Sequence, residues 1–208
     1  MSDFNKLRLG LLGVLVLVLL WSGVHPHDYF TWLLEVTPVL IAVPVLLATR
    51  ARFPLTPLTY MLITIHAIIL MIGGHYTYAE VPWFNWLRDT FDLSRNHYDR
   101  LGHLAQGFVP AIITREILLR TTALRTGKML FFLVICVCLA ISASYELVEW
   151  MVAASSGSDA VAFLATQGDI WDTQKDMLMA LIGSLLALLL LPRLHDRQLQ
   201  HLVSALHV

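Results

Sequence analysis

Charge is scarce in this sequence. Of 208 residues, 14% are charged while 57% are hydrophobic, and the mean hydropathy is +0.69. Soluble domains carry about 25% charged residues, so the composition turns away from that class and toward a membrane protein. The formal net charge of −1 gives no basis for binding nucleic acid. Cysteine is nearly missing as well. Cys136 and Cys138 stand two apart in "FFLVICVCLAIS", and on a helix that spacing points them to different faces. A disulfide framework or a shared metal is thereby excluded, and both read as small apolar filler. There is no low-complexity tract and no repeat between the two halves. "GxSxG", "HExxH" and a P-loop are absent too, so the chain carries none of the common nucleophile, zinc-hydrolase or nucleotide signatures. The phosphatidic-acid phosphatase pattern is missing as well.

What the sequence has is long apolar runs. A spanning helix needs about 20 mostly apolar residues, and six segments qualify: 7–24, 29–48, 58–74, 98–120, 129–153 and 173–192. The fourth is the most polar. These predict an all-α, polytopic membrane helix bundle of about six transmembrane helices, forming a single integral-membrane domain over 1–208. Lys6 and Arg8 precede the first run, but no small-residue cleavage site follows it, so an uncleaved first span is expected.

Lys and Arg in short loops set orientation. In a six-span chain Lys6, Arg8, Arg50, Arg52, Arg115, Arg120, Arg125, Lys128, Arg193 and Arg197 fall on one side. The opposite side carries Arg88 and Arg95. Both termini are therefore expected in the cytoplasm. On the outer side, "VPWFNWLRDTF" (81–91) starts with Pro82 and repeats aromatic residues at near-helical spacing. It predicts a short interfacial helix between spans three and four. The outer loop 155–171 is only weakly amphipathic.

The polar residues of the spans collect at that outer end. In "HYDRLGH", Asp99 and His103 are four apart and share a face of span four, continued inward by Gln106 and Pro110. Ser142, Glu146 and Glu149 form a stripe at the outer end of span five. Asp169, Asp172 and Asp176 form another at the start of span six, with Gly183 further along it, where a second helix can come close. His75 closes span three at the same end.

Asp99, Glu146, Glu149, Asp172 and Asp176 outnumber the nearby cations Arg100, Lys175 and a protonated His103. Such an excess near hydrocarbon needs protons, a wet cavity or a bound cation. Carboxylates with imidazole suit a divalent metal, without choosing among Mg²⁺, Mn²⁺, Ca²⁺, Fe²⁺ and Zn²⁺. Asp99, His103, Glu146 and Asp176 are the candidate catalytic residues. The same four with Glu149 and Asp172 are the candidate metal ligands. Asp99, His103, Glu146 and Asp176 have interhelical bonding as their plainer role, and the residues around them have local ones. Asp169 or Asp172 suits a helix cap, Arg100 and Lys175 suit snorkelling to headgroups, Glu149 suits solvent, and His75 suits an interfacial hydrogen bond. Glu116 suits a local ion pair with Arg115 and Arg120.

At "RNHYDRLGHLAQGFVPA", "SYELVEW" and "TQGDIWDTQKDMLMALIG" the chain resembles the YjdF-type family of bacterial inner-membrane proteins, over nearly its whole length. More distantly, Asp99-Arg100-x-x-His103, Glu146, and Asp172 with Asp176 before Gly183 resemble the order found in VanZ-like membrane proteins. There the helix start is typically Asp-Lys-x-x-His. This chain departs in Arg100, in Asp176 where Asn is usual, and in its extra Glu149. The likeness implies a shared scaffold, and neither family supplies a reaction.

The residues favour a cation-dependent hydrolase or transferase working on a membrane lipid or lipid-linked headgroup at the periplasmic face, with the aromatic helix 81–91 admitting substrate. A proton- or cation-coupled transporter is the second reading, set back by the missing repeat. A structural or regulatory bundle is the third.

Overall fold

The computed structural model describes residues 3–156 and 161–206. Its helices are α1 (Asp3–Ser22), α2 (Tyr29–Thr49), α3 (Pro57–Tyr76), a 3₁₀ turn (Tyr78–Glu80), α4 (Pro82–Thr90), α5 (Tyr98–Thr121), α6 (Lys128–Ser156), α7 (Val161–Leu164), α8 (Asp172–Leu190) and α9 (Pro192–Leu206). All six expected spans are helices, with ends within about four residues of those expected. The fold is all-α. Five of the described helices, α1, α2, α3, α6 and α8, are long and apolar enough to cross a membrane. α5 is equally long, at 24 residues, but its polar residues lower its hydropathy.

Burial explains how α5 tolerates them. It sits at the centre, packed against α3, α6 and α8, and its polar side chains face protein. The outer helices invert the pattern. Leu17 and Leu20 of α1 and Ile41 of α2 are exposed, as expected where the surrounding solvent is hydrocarbon. α1 and α2 each pack on α3, while α2 makes little contact with α5.

The tightest junction joins α5 to α8, which run in the same direction, with α6 returning between them. A Cβ on Gly107 would lie 1.8 Å from the Ala180 carbonyl oxygen, and one on Gly183 2.1 Å from that of Leu104. The two backbones touch because both positions are glycine, the close approach expected of Gly183. Cys138 is buried on α6 and Cys136 is exposed; both are free thiols.

Short elements close each end. α4 forms where the aromatic helix was expected, with Trp83 68% exposed and Trp86 also outside. Just before it, Thr77 turns the chain at φ 58°, a costly conformation for a β-branched residue. The turn drives the Tyr78 ring between α3 and α5, where a Cβ on Gly73 or Gly102 would overlap it at 2.4 and 2.8 Å. At the other end α9 forms beyond the last expected span and docks against α5. His195 Nε2 lies 3.1 Å from Glu116 Oε2, and Arg115 bonds His195 and Asp196 at 2.9 and 2.7 Å. Glu116 also accepts from Thr56, Thr59 and Arg120. The local pair with Arg120 forms, but Arg115 turns to α9, a partner 80 residues away that helix spacing does not reveal.

Candidate functional site

The start of α5 lies beside the start of α8 because of the glycine contact one to two turns below. Asp99 and His103 therefore meet Asp172 and Asp176. His103 Nε2 is 3.4 Å from Asp99 Oδ1 and 3.7 Å from Asp176 Oδ1, and its Nδ1 is 3.7 Å from Glu146 Oε1 on α6. One ligand atom each from Asp99, His103 and Asp176 falls within a mutual 4.8 Å. That is close to the span set by a cation bonded at about 2.0–2.6 Å. Gln106 Oε1 stands 3.1 Å from His103 Nδ1. Glu146 is 7% exposed, and its Oε1 has no hydrogen-bond partner among the described residues.

Two arginines occupy the outer part of the cluster. Arg95 binds Asp172 and reaches Asp99 at 3.2 Å and Asp169 at 3.7 Å. It also donates to the carbonyls of Ala165 and Thr166. Arg100 binds Asp176, and bonds Asp172 at 2.5 Å and Asp169 at 3.4 Å. This overturns the snorkelling expected of Arg100, because Asp176 and Asp172 inside the bundle and Asp169 at its rim outbid distant headgroups. Arg95, assigned by sequence only to an outer loop, is buried as well. Asp172 is thus committed to two guanidinium groups and lies apart from the His103 triad, and a cation in the triad would have to share Asp176 with Arg100. Lys175 Nζ bonds Asp169 at 2.6 Å at the rim; this holds the Asp169 carboxyl below its ordinary range.

The cap expected of Asp169 or Asp172 takes another form. Trp171 occupies the cap position of α8, and Asp169 accepts from its backbone N–H at 3.0 Å. The loop is strapped to α5 by a reciprocal pair. Asn96 N–H donates to Gln167 Oε1, and Gln167 Nε2 donates to the Asn96 carbonyl, both at 2.9 Å. His75 does not join the site. Its Nδ1 pairs with the Ser22 carbonyl at 3.0 Å and its ring lies against Trp21, the interfacial bonding weighed for it. Glu149 is buried rather than solvated.

Inward of His103 the helices enclose a cavity of about 160 Å³, lined by Asp99, His103, Glu149, Tyr145, Glu35 and His66 among others. Glu35 is buried and accepts from the Tyr145 hydroxyl at 3.3 Å. His66 Nε2 is buried with no partner among the described residues. The sequence reading passed over Glu35 and His66. Each is an ionisable group inside an apolar run, which is itself a functional signal.

Fold and cluster together define a multi-pass membrane protein with a buried acidic, arginine-braced site at one end. Residues 7–197 match the family described as "Predicted membrane protein (DUF2238)", and the chain belongs to that family. It is similar to the inner membrane protein YjdF of Escherichia coli (strain K12), with 56% identity over 186 residues covering 89% of each chain. No solved structure matches it. The chain is accordingly a multi-pass inner-membrane protein.

Proposed function

We propose that the site binds a divalent cation through Asp99, His103 and Asp176, with Glu146 completing or flanking the set, and that it hydrolyses or transfers a lipid or lipid-linked headgroup. The carrying observation is the meeting of three ligand atoms within 4.8 Å beside Glu146 Oε1, which has no hydrogen-bond partner among the described residues. A cation held by Asp99, His103 and Asp176 would supply an acidified water and polarise a phosphoryl or acyl oxygen, and Glu146 would take the proton. The adjoining cavity supplies room for the reacting group. The Lys and Arg bias supports a periplasmic position for this end, with both termini in the cytoplasm.

The test uses the full chain in detergent. Metal analysis, and thermal unfolding with chelator and with added Mg²⁺, Mn²⁺ or Zn²⁺, compare wild type with Asp176→Asn. A cation held at 100 times its Kd stabilises by about 2.7 kcal/mol, so the wild type should melt lower in chelator. Asp176→Asn should lose most of that response, because amide oxygen is a poorer ligand than carboxylate for a hard cation. An impermeant thiol reagent should reach a cysteine placed at the exposed Ile170 from the periplasm of intact cells. A wild type indifferent to chelator and metals, with a more stable Asp176→Asn, would refute the cation site and favour helix packing.

A further inference from the structure

A second, apolar space adjoins the polar cavity. It is a cleft of about 510 Å³ that runs between α2 and α5, floored by α3. Pro38, His66 and Leu70 line both spaces, so the polar chamber and the apolar cleft adjoin. The cleft exists because α2 and α5 flank α3 without packing on each other. From Pro38 to Thr49 it follows twelve residues of α2, a rise of about 16 Å at 1.5 Å per residue, or about half of a 30 Å hydrocarbon core. Its wall is almost wholly apolar. At its rim Val45 is 53% and Ile117 42% exposed, so the cleft opens sideways to the surroundings of the helices. In an inner-membrane protein those surroundings are lipid.

We propose that this cleft holds one acyl chain of a membrane phospholipid, with the polar end of that lipid at the His103 cavity. The inference rests on the proposed lipid-headgroup chemistry and names its substrate class. Three features select this occupant. The long axis follows the helices, as an acyl chain in a bilayer does. The apolar wall changes to carboxylate, imidazole and phenol at one end only, matching an amphiphile with one polar terminus. The mouth opens to the bilayer, so the acyl chain enters the cleft without leaving hydrocarbon. The path runs between α2 and α5, rather than past α4 as the aromatic residues suggested.

The experiment uses full-length protein in detergent micelles with phosphatidylglycerol carrying a photoactivatable diazirine on one acyl chain, and maps the labelled peptides. Labelling should concentrate on residues 39–49 and 109–121, saturate, and be competed by unlabelled phosphatidylglycerol. Ala42 lines the cleft and is only partly buried. Ala42→Trp should fill the cleft and remove this labelling, while leaving that of the outward face of α1 and the metal response. Equal, unsaturable labelling of α1 and the cleft would overturn the proposal. Competition by a polyprenyl phosphate but not by phosphatidylglycerol would overturn the acyl assignment. Saturation and competition in the wild type decide the matter should Ala42→Trp fail to fold. Metal binding without cleft labelling removes the lipid assignment alone. Cleft labelling without metal binding keeps the chain site and removes the cation chemistry.

Discussion

Adding one methyl group at Gly107 should disable the site without touching any of its ligands. A Cβ there would stand 1.8 Å from the Ala180 carbonyl oxygen, whereas ordinary contact begins near 3.4 Å. Relief requires α5 and α8 to separate locally by about 1.6 Å, and the obstacle is backbone, which has no rotamer to change. Overpacking of this kind costs about 1–3 kcal/mol, and the upper part of that range is expected here. The same displacement acts on the site one to two turns above. His103 and Asp176 stand 3.7 Å apart across this junction, and moving them about 1.6 Å farther apart puts them beyond joint coordination of one cation. Gly107→Ala should therefore melt lower than wild type in detergent and lose its chelator-sensitive stabilisation together. Gly13→Ala is the control. Its Cβ meets nothing within 4 Å, and Ala in a helix interior is favoured over Gly by about 0.5–1 kcal/mol. A Gly107→Ala protein with wild-type melting and metal response would refute the close junction and the dependence of the site on it.

Two further outcomes follow from the charges. Arg100→Met should cost about 3–5 kcal/mol, the range for removing one partner of a buried ion pair, because Asp172 and Asp176 lose a shared guanidinium; Lys175→Met, at the half-exposed rim, should cost under about 1 kcal/mol. Comparing their melting temperatures in one detergent checks the contrast. Asp28 caps α2, and the Thr31 backbone N–H at 2.6 Å holds its carboxyl below the ordinary 3.8. The stability from this depressed pKa is present above 3.8 and is lost as pH falls through the folded value. Asp28→Asn, an equally good cap, should lose less stability than wild type between pH 5 and pH 3 in melting scans, and identical pH slopes would remove Asp28 from the acid response.

Much of this architecture was legible because hydrocarbon imposes length and polarity on every span. Asp99 and His103 were found by helical spacing, and Glu146 and Asp176 by the alternation that brings consecutive span ends to one face. Partner choice was less visible. Arg95 reads as a loop charge until the 165–167 segment folds over it, and Arg100 reads as a headgroup anchor until α8 supplies Asp172 and Asp176, more than 70 residues away. α9 escaped for a related reason. Its polar residues resemble a solvated tail, and only the buried Glu116 and His195 show that it docks. Glu35 and His66 were visible as isolated polar residues, but their common cavity requires the placement of α2 beside α3.

The shared direction of α5 and α8 has an electrical consequence. A helix carries roughly half a positive charge at its N-terminus, felt within the first turn. Asp99 is the second residue of α5 and Asp172 the first of α8, so both carboxylates stand in the field of their own helix end. Two parallel macrodipoles thus meet at one point, where antiparallel neighbours would oppose each other. Together they supply fixed positive potential that needs no side chain. Since the only described return between them is α6, the chain must cross the membrane once more to set the two positive ends side by side.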